Sequence, residues 1–138
     1  MPQRSAAWEG EILKRIRVMV VDDSEPFASA VAQFLTHEGR FEVLANAYSG
    51  SEALARAPIE RPDLMFVDVS MPGMDGLAVT ARIKALEGPP KVVMMTLEDN
   101  ERHRSGAVAA GADGFLSKND FARDLPEVVK SLFVAPRD

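Results

Sequence analysis

Cysteine is absent from the 138 residues, and the histidines number two, His37 and His103. The first absence excludes a disulfide framework and any thiolate metal or redox site. The second leaves too few imidazoles for a histidine-rich zinc centre. No apolar run approaches the roughly 18 residues needed to cross a bilayer, and the N-terminus lacks the apolar core of a signal peptide. A cytoplasmic chain without membrane association is therefore expected. Tryptophan occurs once, as Trp8, ahead of the first strand-like run. Basic residues number 16 against 21 acids, and the net charge of −5 disfavours broad attraction to nucleic acid. The metal ligands that remain are carboxylate oxygens, which suit a hard cation.

With 46% hydrophobic and 27% charged residues, the chain has a globular balance. Its length suits one domain that buries roughly two-thirds of the surface exposed by the unfolded form. Short β-rich runs alternate five times with stretches of helical period, without repeats or a long linker, which predicts an α/β fold. Strand one is expected over about residues 17–22. Helix one follows, capped by Ser24, with Pro26 in its first turn and Phe27, Val31, Phe34 and Leu35 facing inward; Gly39 ends it. Strand two covers residues 41–45, and helix two runs from about 49 to 57, closed by Pro58. Strand three covers residues 63–67. A Met71-Pro72-Gly73-Met74 turn then leads to a helix capped by Asp75, with Leu77, Ile83 and Leu86 as its apolar stripe. Strand four covers residues 91–95, and the next helix runs from about Asp99 to a stop at Gly111. After a short fifth strand, the last helix is expected to begin near Asp124, since Pro126 costs about 3 kcal/mol beyond a first turn. Its inward face is Leu125, Val128, Val129 and Leu132.

Four of the strand-like runs hand over to polar residues of particular chemistry. Asp22-Asp23 closes Ile16 to Val21, Asp68 closes Leu64 to Val67, Thr96 follows Val92-Val93-Met94-Met95, and Lys118 follows Gly114-Phe115-Leu116-Ser117. In a parallel sheet the carboxyl ends of the strands form one edge, where residues distant in sequence meet. Singly, an acid after a strand is usually a helix cap, a Thr there reflects β-propensity, and a Lys is a surface charge. Together, the order acid pair, acid, hydroxyl, amine points to an acidic, metal-dependent phosphoryl site. Clustered carboxylates repel by about 4 kcal/mol per pair at roughly 4 Å and an effective dielectric near 20. Mg2+ removes that obstacle through octahedral oxygen ligation, and an amine adds a cation from the other side. A hydroxyl can donate to a phosphoryl oxygen that exists only in the modified state.

The segments Val20-Val21-Asp22-Asp23-Ser24, Asp68-Val69-Ser70-Met71-Pro72-Gly73-Met74-Asp75-Gly76, Met95-Thr96-Leu97 and Gly111-Ala112-Asp113-Gly114-Phe115-Leu116-Ser117-Lys118 resemble the receiver domain of bacterial two-component response regulators. The resemblance covers about residues 16–133. It implies a flavodoxin-like (βα)5 three-layer sandwich whose parallel sheet of five strands has the order 2-1-3-4-5. It also implies that Asp68 accepts a phosphoryl group from a phosphohistidine on a sensor histidine kinase or phosphotransfer protein. Asp22, Asp23, Asp68 and the backbone carbonyl of Ser70 would then hold Mg2+, and Thr96 and Lys118 would contact the phosphoryl oxygens. Thr96 and Phe115 would form the conformational switch. Ser70, Leu97 and Glu98, flanking the site, would tune the phosphorylated lifetime by blocking or orienting water. Such a domain catalyses only its own phosphorylation and dephosphorylation and has no metabolic substrate.

Four residues or regions depart from the family pattern. Asn119 stands where many receivers have Pro, so Lys118-Asn119-Asp120 is more similar to the subfamily usually fused to helix-turn-helix output domains. Leu97 is bulkier than the small residue common after the Thr. The last strand and helix lack the charges that resemble the dimer face of winged-helix regulators. Val69 replaces a common Trp, so Mg2+ is expected to leave Trp8 fluorescence nearly unchanged. A dehalogenase-like phosphatase would need a second acid at Ser70, and an FMN binder would not place Asp22-Asp23-Ser24-Glu25 against a phosphate. A constitutive binding module with vestigial phosphorylation is disfavoured by the intact acid set. The domain division expected is an N-terminal arm at 1–15, a receiver at 16–133 and a short tail at 134–138 that leaves no room for an effector domain. The partners implied are the kinase or phosphotransfer protein and an unidentified output protein or a removed effector domain. A phosphorylation-dependent homodimer is a further route of output, and no nucleic acid or membrane is contacted directly.

Overall fold

The computed structural model describes residues 14–134. Trp8 and the rest of the expected arm before Lys14, and residues 135–138 of the expected tail, lie outside the described residues. Five parallel strands, β1 (Ile16–Val21), β2 (Phe41–Ala47), β3 (Leu64–Asp68), β4 (Lys91–Thr96) and β5 (Gly114–Ser117), form one sheet of order β2-β1-β3-β4-β5. The connecting helices are α1 (Glu25–Glu38), α2 (Gly50–Glu60), α3 (Gly76–Lys84), α4 (Glu101–Ala110) and α5 (Phe121–Phe133). This is the expected flavodoxin-like fold.

Strand periodicity sorts the core into two layers, because successive side chains point to opposite faces. Val18, Val20, Leu64, Phe66, Val93 and Met95 meet α1 and α5 on one face. Met19, Val21, Met65, Val67, Val92 and Met94 pack toward Ala53, Val79, Ile83 and Ala107 of the other three helices. Covered on both faces, these strands read as continuous apolar runs, as parallel strands must.

Local chemistry fixes the helix ends. Ser24, Ser49, Asp75 and Asn100 are N-caps whose side chains accept backbone N–H groups of Phe27, Glu52, Ala78 and His103. Gly39 and Gly111 end α1 and α4 with φ of 92°, a left-handed conformation that favours glycine.

Four expectations are corrected. Helix α2 does not stop before Pro58 but runs on to Glu60. The bond that Pro58 cannot donate is offset at the new end: Arg61 N–H caps the Ala57 carbonyl at 2.8 Å, and the Arg17 guanidinium donates to the Arg61 and Glu60 carbonyls at 2.7 and 2.9 Å. Helix α5 begins at Phe121, ahead of Asp124, with Pro126 inside it. Packing overrides propensity here, since Phe121 is buried edge-to-face against Phe27, Phe34 and Phe66. Phe34 itself is only partly covered, and Ala28 takes its place on the buried face of α1. Leu86 lies beyond α3, whose buried residues are Gly76, Val79, Thr80 and Ile83.

Candidate functional site

Strand register brings the expected residues to one edge. Val21 pairs with Val67, so Asp22 and Asp68 leave β1 and β3 side by side. Asp68 pairs with Met95, one position before Thr96, and Thr96 pairs with Ser117, one position before Lys118. The β3–α3 loop is drawn close by a bond from Gly76 N–H to the Val69 carbonyl at 2.9 Å.

Lys118 joins the two buried acids. Its Nζ lies 2.6 Å from Asp22 Oδ2 and 3.4 Å from Asp68 Oδ1, and 4.5 Å from the centroid of the Phe27 ring. The ammonium thus sits between an acid pair and an aromatic face that favours cations. Asp22 divides its work, because Oδ1 accepts Ser24 N–H at 2.9 Å while the buried Oδ2 has charge contact with Lys118 but no aligned hydrogen bond. One carboxylate oxygen from each of Asp22, Asp23 and Asp68 lies within 4.8 Å of the others. Oxygen donors with a spare buried acceptor fit a hard divalent cation.

These groups line an open cleft of about 280 Å3, which Ser70, Thr96, Leu97 and Glu98 also border. Leu97 is two-thirds exposed. Phe115 is half-buried, and the Arg104 guanidinium, ion-paired with Asp99, lies 4.8 Å from its ring centroid. Sequence reasoning missed three participants: Phe27 beneath the ammonium, Arg104 against Phe115, and His103, whose ring borders the cleft and bonds near Thr96. His103 carried one faint signal, its position in the first turn of a helix whose cap Asn100 lies four residues after Thr96.

Burial pushes the Asp68 carboxyl up from 3.8 to about 6, and the Asp22 charge adds to this. Lys118 and the Ser70 backbone N–H pull the other way. An acid whose folded pKa is raised costs stability once ionised: the cost is absent below pH 3.8, grows through the interval to about 6 and is complete above it. Asp68→Asn, compared with wild type in chelator, is therefore expected to melt higher above pH 6 and to lose that advantage toward pH 4. Since the carboxylate faces an open cleft, solvent screening reduces the gain to about 1 kcal/mol. Equal melting temperatures at pH 8 would reject the strained-acid reading.

The description "response regulator receiver domain" belongs to the family model that matches residues 18–130, and the chain belongs to that family. The Response regulator protein VraR of Staphylococcus aureus is 36% identical over 117 residues, covering 83% of this chain and 55% of its own length. The chain thus spans about half the length of the curated relatives it matches. Among solved structures, the signal receiver domain of a NarL response regulator from Mycobacterium tuberculosis is 33% identical with a TM-score of 0.77, covering 86% of this chain and 94% of that one. CheY in the CheX-CheY-BeF3-Mg2+ complex from Borrelia burgdorferi is 27% identical with a TM-score of 0.80, covering 88% and 92%. Among the described residues no helix is long and apolar enough to cross a membrane.

Proposed function

We propose that this chain is a cytoplasmic, phosphorylation-switched signalling domain, with residues 16–133 as the working unit and Asp68 as phosphoacceptor. The observation that carries the reading is the Lys118 ammonium held against both Asp22 and Asp68 at the floor of the cleft. An Asp68 carboxylate oxygen attacks the phosphorus of a phosphohistidine on a sensor kinase or phosphotransfer protein. The P–N bond breaks, and the imidazole leaves with a proton from solvent. Hydrolysis returns the carboxylate when water attacks phosphorus and the acyl P–O bond breaks. Lys118 neutralises charge on the transferred group, and catalysis is mostly positioning and electrostatics. Asp22, Asp23, Asp68 and the Ser70 carbonyl are the proposed ligands for Mg2+, which supplies charge neutralisation for attacking and transferred oxygens. Thr96 and Phe115 carry the change to an output protein or effector domain.

Incubation with acetyl phosphate and Mg2+ is expected to add one phosphoryl mass to the intact protein, and chelator is expected to prevent it. Uptake that persists in chelator would defeat the metal-dependent mechanism. Leu97, exposed at the cleft mouth, shields the acyl phosphate from water in line with the scissile bond. Leu97→Ala is expected to shorten the phosphorylated lifetime severalfold in a chase without donor; an unchanged or longer lifetime would reject the shielding.

A further inference from the structure

The Thr96 hydroxyl, which the proposed function requires to turn toward a phosphoryl group, is fully engaged elsewhere. His103, the third residue of α4, donates its backbone N–H to Asn100 Oδ1 at 2.8 Å, so the helix cap fixes its stem. Its ring Nδ1 lies 2.7 Å from the Glu98 carbonyl oxygen and 3.2 Å from Thr96 Oγ1. A carbonyl only accepts, so the ring proton is on Nδ1 and is shared between these two oxygens. Thr96 Oγ1 also accepts Glu98 N–H at 3.1 Å and donates to the Glu98 carbonyl at 3.2 Å. A hydroxyl has one proton to give and two lone pairs. All three are used on the side of the β4–α4 loop, and Thr96 is only 3% exposed.

We infer that His103 is a positioning residue: its Nδ1–H latches the Thr96 hydroxyl to the loop in the unmodified protein and sets the fraction of switched protein present before phosphorylation. The inference rests on the proposed role of Thr96 but not on phosphoryl transfer itself. A latch that must open before the hydroxyl can reach a phosphoryl oxygen opposes phosphorylation, and by linkage its removal favours it. One net hydrogen bond corresponds to a factor of roughly two to ten. The next residue, Arg104, lies against Phe115, so one turn of α4 touches both switch side chains.

Three-bond NMR couplings to Thr96 Cγ2 report its χ1 rotamer in the unmodified protein, with no phosphodonor present. Wild type is expected to show one rotamer. His103→Leu and His103→Gln place no donor at the Nδ1 position, and in either the turned rotamer is expected to rise roughly two- to tenfold. His103→Asn, whose amide N–H reaches that position, is expected to restore the single rotamer. Unchanged couplings in His103→Leu and His103→Gln would overturn the latch. Averaging in His103→Asn as well would overturn it too, since general loosening of the loop would then explain all three. In parallel, the phosphorylated fraction reached with acetyl phosphate and Mg2+ is expected to rise severalfold in His103→Leu and to return to the wild-type value in His103→Asn. If wild type takes up no phosphoryl group, the functional reading fails while the couplings still decide the latch.

Discussion

Gly76→Ala is expected to lower the melting temperature by roughly 10 °C, corresponding to about 3 kcal/mol in a domain of this size. The cause is a close approach of two backbones. A Cβ at residue 76 would lie 1.8 Å from the Asp68 carbonyl oxygen and 2.8 Å from its carbonyl carbon. No side-chain rotation relieves that overlap, so α3 must move away from the end of β3 and take the Asp68 loop with it. The Gly76 N–H bond to Val69 would be lost in the same movement. Phosphoryl uptake is expected to fall along with stability. Gly73→Ala is the control: with φ of 77° it is strained, but nothing lies within 4 Å of its added Cβ. It is expected to cost about 1 kcal/mol and to leave uptake near wild type. Equal melting temperatures for the two variants would show that turn strain, and not the approach to Asp68, decides the cost.

Lys118→Met carries the largest expected effect on chemistry, a fall in the phosphorylation rate of about a hundredfold or more, the usual consequence of removing a preorganised donor from a developing charge. Met keeps apolar bulk over Phe27, so the loss is one of charge. Lys118→Arg is expected to fail similarly, because the Lys118 side chain is 6% exposed and its compact ammonium has contacts that a planar fork cannot reproduce. In chelator, Lys118→Met leaves Asp22 and Asp68 without their cation. Breaking a buried pair costs about 3–5 kcal/mol, and protonation of the stranded Asp68 relieves part of it. The variant is therefore expected to be more destabilised at pH 8 than at pH 5, as thermal melts will show. Wild-type phosphorylation rates in Lys118→Met would remove Lys118 from the mechanism.

The fold and the acid cluster were legible in the sequence for the same reason. Strands covered on both faces leave uninterrupted apolar runs, and the residue ending each run lies on a common edge. Asp22, Asp68, Thr96 and Lys118 could be placed there from that rule alone. Propensity alone ends α2 at Pro58 and delays α5 to Asp124, whereas the Arg17 bonds and the Phe121 aromatic cluster that override it join residues far apart in sequence. Phe27 and Arg104 carry no sequence signal, and that of His103 is faint, for a related reason. Each reaches the site from a helix, and whether a first-turn side chain meets a strand end depends on the path of the intervening loop, which periodicity does not encode.

The identity of the phosphoacceptor is tested most directly by chemical trapping. The protein is phosphorylated with acetyl phosphate and Mg2+, reduced with borohydride, digested and sequenced by mass spectrometry. Reduction converts an acyl phosphate on aspartate to homoserine, so homoserine is expected at position 68, with Asp22 and Asp23 unmodified and no conversion in chelator. Homoserine at position 22 or 23, or a phosphoryl group that survives reduction on a Ser, Thr or His, would contradict Asp68 as the acceptor.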